Sequence, residues 1–509
     1  MLENLLLGIQ GACTPMGLIS CALACIEGII VGALPGLGPT IGMSLLIPFT
    51  YSMNPAMALI FLAACYCGTQ YGGSITAILL NTPGTPSAVA TTIEGYQMTL
   101  KGKGGEALNE AAVASFWGGL ISALAFIFLA PVLAKVSIKF GSIENFLIAL
   151  FGLAIIASLS EKDMVKGLIG GAFGMALGCV GTDPFSATER YTFGVLRLSS
   201  GLSTLPVMIG IFSIARIVHN IRESEAQSLQ ANKEVKLECH LLKDLFRYPL
   251  TYLRSSIIGT VVGIIPGAAG NVSTFMAYDQ TKKFSKHPET FGHGEREGIA
   301  ATESANNGVT GGAMIPTMTL GIPGSPSMAV FMGALLIQGL QPGYDLFSEN
   351  NSRIIYPFMV GLIIANVMML LFGYFFSRHF LVVLKIPANL LVAGIVVLCV
   401  AGVYASGKNM TDVYVMLLFS FVGYLMNRFQ FSGTPVVLGF ILGPLAEKSL
   451  LKSLTIYKGV PGMLQKMVTS PICIVLLVII IWILGKSFYN SMKAPTEPEK
   501  AELESESKN

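Results

Sequence analysis

Charge is what this sequence has least of. Only 12% of its 509 residues are Asp, Glu, Lys or Arg, about half the roughly 25% of an ordinary soluble domain. That composition excludes disordered, collagenous and nucleic-acid-binding chains. The net charge of +3 is too small to draw a polyanionic partner. No disulfide framework is visible among the nine cysteines. Cys13, Cys21, Cys25, Cys65, Cys67, Cys179, Cys399 and Cys473 lie in apolar stretches, and only Cys239 lies in a polar one. Cys65 and Cys67 have no second pair and no histidine at zinc spacing, so they read as small packing residues. The histidines (His219, His240, His287, His293, His379) sit in or beside polar segments, and no metal constellation emerges. There is no Gly-x-x-x-x-Gly-Lys-Ser/Thr phosphate loop, and Gly36-Leu-Gly38 lacks the βαβ surroundings of a dinucleotide site. No Ser–His or Cys–His arrangement stands out for nucleophilic catalysis. Met1–Gln10 has no basic stretch, so a cleavable signal peptide is not expected.

What the chain has instead is apolar length: 53% of its residues are hydrophobic and its mean hydropathy is positive. Runs suited to about 30 Å of hydrocarbon recur from Met16–Leu34 to Pro471–Leu484. Glycine (56) and proline (25) exceed their usual combined share of about 12%, which predicts interrupted helices rather than a plain bundle. A lipid-facing sheet is excluded, because its open edges find no partners in hydrocarbon. The expected fold is therefore an all-α polytopic membrane protein with roughly 10 to 13 crossings, including broken helices or re-entrant hairpins.

The sequence also aligns with itself. Gly28-Ile-Ile-Val-Gly32-Ala-Leu-Pro35-Gly36 matches Gly259-Thr-Val-Val-Gly263-Ile-Ile-Pro266-Gly267 at an offset of 231. Pro83-Gly84-Thr85-Pro86-Ser87 matches Pro323-Gly324-Ser325-Pro326-Ser327 at 240, which also places Gly68 and Gly72 on Gly308 and Gly312. Pro206–Gly210 matches Pro435–Gly439 at 229. Ordered matches at nearly constant offset predict a duplicated unit of about 200 residues. On this reading residues 1–215 form membrane repeat 1, 216–254 a polar connection, and 255–450 membrane repeat 2. Residues 451–486 are a linker and final helix, and 487–509 a disordered polar tail. Paired Gly/Pro-interrupted apolar segments point to the binding site of a secondary transporter; the alternative is that Pro-Gly merely marks surface turns. The loop Pro48–Met57 is uncharged, whereas its counterpart Asp279–Glu297 carries Lys282, Lys283, Lys286 and Arg296. That contrast favours inverted repeats under the positive-inside rule, although Arg216–Arg254 and Glu447–Lys466 are both basic.

Several segments together resemble one family. Gly32-Ala-Leu-Pro-Gly-Leu-Gly-Pro39, Tyr71-Gly-Gly-Ser-Ile-Thr76, Glu303-Ser-Ala-Asn306-Asn307 and Leu320-Gly-Ile-Pro-Gly-Ser-Pro326 are similar to the large permease subunit of tripartite tricarboxylate transporters, the TctA family. Phe291-Gly-His-Gly294, Asp183-Pro184, Arg190-Tyr-Thr-Phe-Gly194 and Gln341-Pro-Gly343 fit as well, and the resemblance runs from about Gly8 to Thr469. Glu94 stands where the pattern has Asp, and Ala269-Gly270 replaces the Gly-Pro of the first repeat. The resemblance implies a multi-pass permease of a bacterial-type inner (plasma) membrane, embedded in lipid, for citrate-like carboxylates. It would act with a small four-helix membrane subunit and a periplasmic solute-binding protein, driven by Na⁺ or H⁺ rather than ATP. No nucleic acid, enzyme activity or cofactor is expected beyond Na⁺ as a possible coupling ion. An ion channel, and more weakly an intramembrane enzyme, are the rival readings.

An anionic substrate needs hydrogen-bond donors. Ser74, Thr76, Asn81, Thr82, Thr85 and Ser87 flank the first broken segment, with the backbone N–H of Gly84. Asn306, Asn307, Thr310, Thr319, Ser325 and Ser327 flank the second, with that of Gly324. Close helix packing is the competing use of such small polar residues. Glu303 opens an apolar, Asn-containing segment, and an acid at membrane depth is costly and usually functional. It is a candidate, with Asn306 and Asn307, for holding a coupling cation or proton; its alternative is an ion pair with a basic residue such as Arg190. Arg190 and Arg197, near Asp183, either neutralise substrate charge or anchor an interface.

The seven Lys/Arg of Arg216–Arg254 place that connection in the cytoplasm. An engineered Ser228→Cys, in a background without native cysteines, is therefore expected to resist an impermeant thiol reagent in intact cells. Efficient labelling from outside would reverse the orientation.

Overall fold

The computed structural model describes residues 2–34, 37–137, 140–159, 164–183, 185–214, 240–265, 270–380 and 388–493. Pro35-Gly36, Pro266-Gly267 and most of the central connection, Ser228 included, thus lie outside the described residues. The helices are α1 (Leu2–Ala12), α2 (Pro15–Ala33), α3 (Gly38–Thr50), α4 (Pro55–Leu80), α5 (Val89–Leu100), α6 (Gly104–Ser137), α7 (Ser142–Leu159), α8 (Met164–Gly178), α9 (Thr204–Ile209) and α10 (Leu241–Leu245). They continue as α11 (Pro249–Ile264), α12 (Gly270–Phe284), α13 (Arg296–Leu320), α14 (Pro326–Ile337), α15 (Ser352–Phe380), α16 (Ala388–Gly407), α17 (Met410–Arg428), α18 (Gly433–Ile456), α19 (Val460–Thr469) and α20 (Pro471–Lys493). The one described sheet is a hairpin of two-residue strands, β1 (Gly181–Thr182) and β2 (Glu189–Arg190). The protein is all-helical, as its composition predicts. Among the described residues, five helices are long and apolar enough to cross a membrane: α2, α6, α15, α17 and α18. The pair α19–α20, bent by 90°, passes the same test only when taken together, as one broken span or a re-entrant loop. The sequence-based expectation of roughly 10 to 13 crossings is thus about twice the five to six candidate spans among the described residues. Helix α20 runs to Lys493, seven residues into the segment that composition marks as tail.

The chain forms two compact units, and each draws on both halves of the sequence. The larger holds residues 1–139 and 203–430, the smaller 140–202 and 431–509. These units cut across the division by sequence repeat. In the smaller unit α18 packs on α7 and α8, and Ile143, Leu147, Met463, Met467 and Cys473 form an apolar core. In the larger unit α4 and α13 are buried along nearly their whole lengths. At 26 and 25 residues each is about 38 Å long, enough to span hydrocarbon.

The caps explain where these two helices stop. Helix α4 starts on Asn54, whose side chain accepts from the Met57 N–H at 3.0 Å, with Pro55 in the first turn. It ends at Asn81 in the left-handed conformation (φ 56°), and α13 ends likewise at Gly321 (φ 69°). The next amide closes each end: Thr82 N–H donates to Thr76 O at 3.3 Å, and Ile322 N–H to Pro316 O at 3.2 Å. Pro83 and Pro323 then bar the preceding residue from helix. The chain resumes at Pro86 and Pro326 after an irregular stretch of the same length.

Glycines let backbones touch around both helices. A Cβ on Gly28 or Gly32 would run into the carbonyl oxygen of Cys65 or Thr69 on α4; one on Gly259 or Gly263 would meet that of Ala305 or Val309 on α13. The two sets differ by 231 on α2/α11 and by 240 on α4/α13. Gly118 on α6 lies against the Ser304 carbonyl, and Gly311 on α13 against that of Ser122. Small residues at such crossings bring the backbones close.

Gly259→Leu is expected to destabilise the protein more than an overpacked side chain alone, about 1–3 kcal/mol, because the obstacle is backbone. Gly394→Leu, with nothing within 4 Å of its Cβ, is the control. Thermal unfolding in detergent distinguishes them; equal melting temperatures would refute the crossing.

Candidate functional site

Glu303, in the larger unit, is fully buried on α13. Its carboxylate accepts from Thr91 Oγ1 on α5 at 2.5 Å, from Ser115 Oγ on α6 at 3.1 Å and from Asn306 Nδ2 at 3.3 Å. Thr91 also donates to Thr302 Oγ1 at 3.0 Å. The partners described for Glu303 are hydroxyls and an amide, with no cation among them. Arg190 instead pairs with Glu447 at 2.6 Å and lies 4.0 Å from Asp183. The alternative of a Glu303–Arg190 pair is thereby corrected. Burying an ionised carboxylate without a counter-ion is expensive, so this position favours a bound proton or cation.

Close packing of α6 on α13 builds the surroundings. Ser115, Gly118 and Ser122 recur along one face of α6, as helical spacing requires. Ser115 reaches Glu303, Gly118 admits the Ser304 backbone, and Ser122 Oγ bridges Asn307 O at 3.4 Å and Gly311 N at 3.2 Å. Across from them, Asn306 Nδ2 also donates to the carbonyl of Gln70 on α4 at 3.2 Å. Gln70 is the residue that motif reading missed. Its Oε1 accepts from Ser87 Oγ at 3.3 Å, which ties the first break to Asn306. The signal was present: a glutamine in the middle of an apolar helix.

The remaining candidates divide by what satisfies them. Thr76, Thr310 and Thr319 donate to carbonyls of their own helices, those of Gly73, Asn307 and Ile315, and Thr82 to Leu80 O. Thr85 Oγ1 and Ser87 Oγ are 3.4 Å apart. Gly84 N–H is already used by Gly73 O at 3.1 Å, and its Cα is pressed against the Gly32 carbonyl. Asn81 is exposed, whereas Gly324 is buried. Ser325 caps α14 by accepting from Met328 N–H at 3.3 Å. Ser327 Oγ lies 3.1 Å from Thr40 Oγ1 at the start of α3, while Ser87 packs against Gly270 at the start of α12. Each broken segment thus meets a helix start from the other half of the chain.

Two neighbouring side chains on α13 keep three unsatisfied buried atoms: Asn306 Oδ1, and Asn307 Oδ1 and Nδ2. Ser74 lies beside Glu303, and its hydroxyl makes no hydrogen bond of ordinary geometry. Buried polar groups are rarely left so. Together they offer carbonyl and hydroxyl oxygens, the ligands a hard cation takes, beside a carboxylate. No group of three or more His, Cys, Asp or Glu is placed to hold a metal among the described residues.

Outside the spans, Asp183 is held below the usual carboxylate range, chiefly by the Phe185 N–H and then the Ser186 hydroxyl. Arg190 is held above its ordinary value, chiefly by its hydrogen bond to Glu447. Arg296, counted as a loop charge above, is buried between Glu110 (2.6 Å) and Asp244 (2.7 Å). Lys282, Lys283 and Lys286 remain exposed, so the charge contrast between the loops rests on three residues.

Interrupted helices around a buried, uncompensated polar centre, in a chain with several membrane-length helices, define a multi-pass membrane transport component. The chain belongs to the tripartite tricarboxylate transporter TctA family, whose model matches residues 18–438. It is 36% identical over 479 residues, 94% of each chain, to an uncharacterized 52.8 kDa protein in the TAR-I ttuC′ 3′ region of Agrobacterium vitis. An uncharacterized protein in the TAR-II ttuC′ 3′ region of the same organism is 34% identical over 201 residues, 40% of this chain and 83% of its own. No solved structure matches significantly.

Glu94, on α5 after the first break, accepts from Gly292 N–H and Tyr278 OH at one oxygen and from Gly294 and Glu295 N–H at the other. Glu94→Gln turns one acceptor into a donor facing donors. It is expected to cost about 1.5–3 kcal/mol and to make the 291–295 segment protease-sensitive. An unchanged melting temperature and digestion pattern would contradict this role.

Proposed function

We propose that this chain is the permease subunit of a binding-protein-dependent secondary transporter that imports citrate-like tricarboxylates or related carboxylates, driven by a Na⁺ or H⁺ gradient. One observation carries the reading: a buried Glu303 without a cationic partner, flanked by the unsatisfied Asn306 and Asn307, where α4 and α13 approach through Gln70. A coupling ion at Glu303 would neutralise the site, and the nearby breaks would supply donors for an anion. In a membrane, backbone groups freed by a broken helix are tolerable where they line a cavity or bind a ligand. The two halves are read as inverted repeats. Matched end geometry at Asn81 and Gly321, and glycine contacts spaced by 231 and 240, support the duplication, and the charge contrast between the loops supports its inversion. The partners are a small four-helix membrane subunit and a periplasmic solute-binding protein, in a bacterial-type inner membrane.

The test is uptake of a labelled carboxylate panel into proteoliposomes holding all three subunits, under imposed Na⁺ or pH gradients and normalised to folded protein. Losing a hydrogen bond to a charged group costs about 1.5–3 kcal/mol. Asn306→Ala and Ser327→Ala should therefore weaken uptake by about 10- to 150-fold. Gly324→Val should abolish it by obstructing the second break, and Glu303→Gln should remove the gradient dependence. Four variants that all transport like the parent would place the site elsewhere. Flux without the binding protein would favour a channel.

A further inference from the structure

Helix α2 carries an acid that the centre around Glu303 does not use. Glu27 is the thirteenth of the 19 residues of Pro15–Ala33, so it lies about 9 Å from the nearer end of a helix about 28 Å long. α2 is among the helices long and apolar enough to cross a membrane, which puts Glu27 at hydrocarbon depth. An ionisable side chain there is costly and usually functional.

Packing alone does not call for an acid at this position. Gly28 and Gly32 seat α2 on α4, and Gly259 and Gly263 seat α11 on α13 through the same kind of backbone contact. At the offset of 231 that relates these glycines, Glu27 falls on Ile258. The second crossing is thus built with isoleucine where the first has glutamate.

No cation neutralises this carboxyl. Its Oε2 is buried without a hydrogen-bond partner, and among the described residues no Lys, Arg or His forms an ion pair with it. α1, α3, α4 and α15 pack on α2. α3 has no ionisable side chain, α1 has only Glu3 near its start, and α15 has Arg353, Arg378 and His379 close to its two ends. On α4 the ionisable neighbour of Glu27 is the Cys65 thiol. Cys65 Sγ lies 3.7 Å from Thr69 Oγ1, whose hydroxyl donates to the Cys65 carbonyl at 2.7 Å.

These neighbours select the ligand. A hard cation such as Na⁺ takes several oxygen ligands, whereas thiols suit soft metals. Glu303 has amide and hydroxyl oxygens beside it; Glu27 has a thiol and a hydroxyl already committed. A proton needs no further ligands and removes the charge outright, the usual outcome for an unpaired buried carboxyl. Access is open on one side. Met16, Ile19 and Leu23 form an exposed apolar stripe, and Glu27, one turn beyond Leu23, continues it half-buried.

We propose that Glu27 is a proton-binding site separate from the Glu303 centre, a carboxylic acid held neutral on the lipid-facing side of α2, through which transport responds to pH. This deepens the proposed function and rests on it only for the transport measurement. The full chain in phosphatidylcholine nanodiscs gives two direct readouts. The infrared difference between parent and Glu27→Gln should contain the C=O band of a protonated carboxylic acid at neutral pH, converting reversibly to carboxylate bands in alkali. Dicyclohexylcarbodiimide, which partitions into lipid, should label Glu27. The acid proton passes to nitrogen, the carboxyl oxygen bonds to the central carbon, and acyl migration to nitrogen leaves a stable N-acylurea. An ordinary exposed glutamate is protonated in roughly one molecule in 500 at neutral pH. Glu27 should therefore be labelled at least about 100-fold faster than the exposed Glu289. Labelling of the parent needs no variant, so it decides even if Glu27→Gln misfolds.

A carboxylate band at neutral pH, or no adduct at Glu27, would overturn the proposal. Protection by Na⁺ would also overturn it, by making Glu27 a cation site. So would a band that turns to carboxylate when the membrane partner subunit is added, which would make Glu27 half of an ion pair between chains. In proteoliposomes holding all three subunits, Glu27→Gln should lose uptake driven by a pH gradient at least about 10-fold and keep uptake driven by a Na⁺ gradient. A parent driven by Na⁺ alone, or a variant that keeps its pH response, would overturn the role in coupling. A parent that takes up no carboxylate would fault the proposed function, with the infrared and labelling results still deciding whether Glu27 binds a proton.

Discussion

Almost every polar group on α4 and α13 is buried, so nearly all must find their partners inside the protein. The two helices are buried along nearly their whole lengths, yet they carry Thr69, Gln70, Ser74, Thr76, Thr302, Glu303, Asn306, Asn307 and Thr310. Most satisfy one another or a backbone carbonyl. Those that do not are concentrated at Asn306, Asn307 and Ser74, beside the one buried acid on either helix. Buried polar groups without partners are rare enough to mark this centre as a candidate site.

Backbone contact makes that centre possible. Gly28, Gly32, Gly259, Gly263, Gly118 and Gly311 let neighbouring helices approach until carbonyls lie where side chains would otherwise stand. Short hydroxyls on α6 then reach across to α13: Ser115 to Glu303 and Ser122 to the Asn307 carbonyl. Longer side chains at these positions would separate the helices and remove the partners together. Packing and polarity are therefore one constraint here.

The resemblance between the halves ends at the chemistry. At the offset of 240 that relates the helix breaks, Glu303 falls on Ala63, Asn306 on Tyr66, Asn307 on Cys67 and Thr310 on Gln70. The acid is thus confined to one half, on α13. That helix is fixed at its start by Arg296, which spans Glu110 and Asp244 while Tyr252 and Tyr374 donate to the same two carboxylates. A buried pair of this kind is weak evidence for stability. Its geometric effect is to join α6, α10, α11, α13 and α15 at one end of the helix that bears Glu303.

Sequence alone determined the class of the protein, because scarcity of charge, long apolar runs and paired Gly/Pro breaks are local properties. The breaks at Pro83–Ser87 and Pro323–Ser327, and the candidacy of Glu303, Asn306 and Asn307, were legible for the same reason: proline and buried charge carry their costs wherever the chain places them. The partners were not legible. Nothing local couples Thr91 and Ser115 to an acid about 200 positions away, Ser327 to Thr40, or Arg190 to Glu447 rather than Glu303. Nor does local sequence show that helices 142–178 pack with 433–456, while 204–214 packs with α17 in the other unit. Those pairings depend on which helix faces meet, and only the tertiary structure decides this, because each buried polar group is satisfied by whichever distant segment packing brings within about 3 Å.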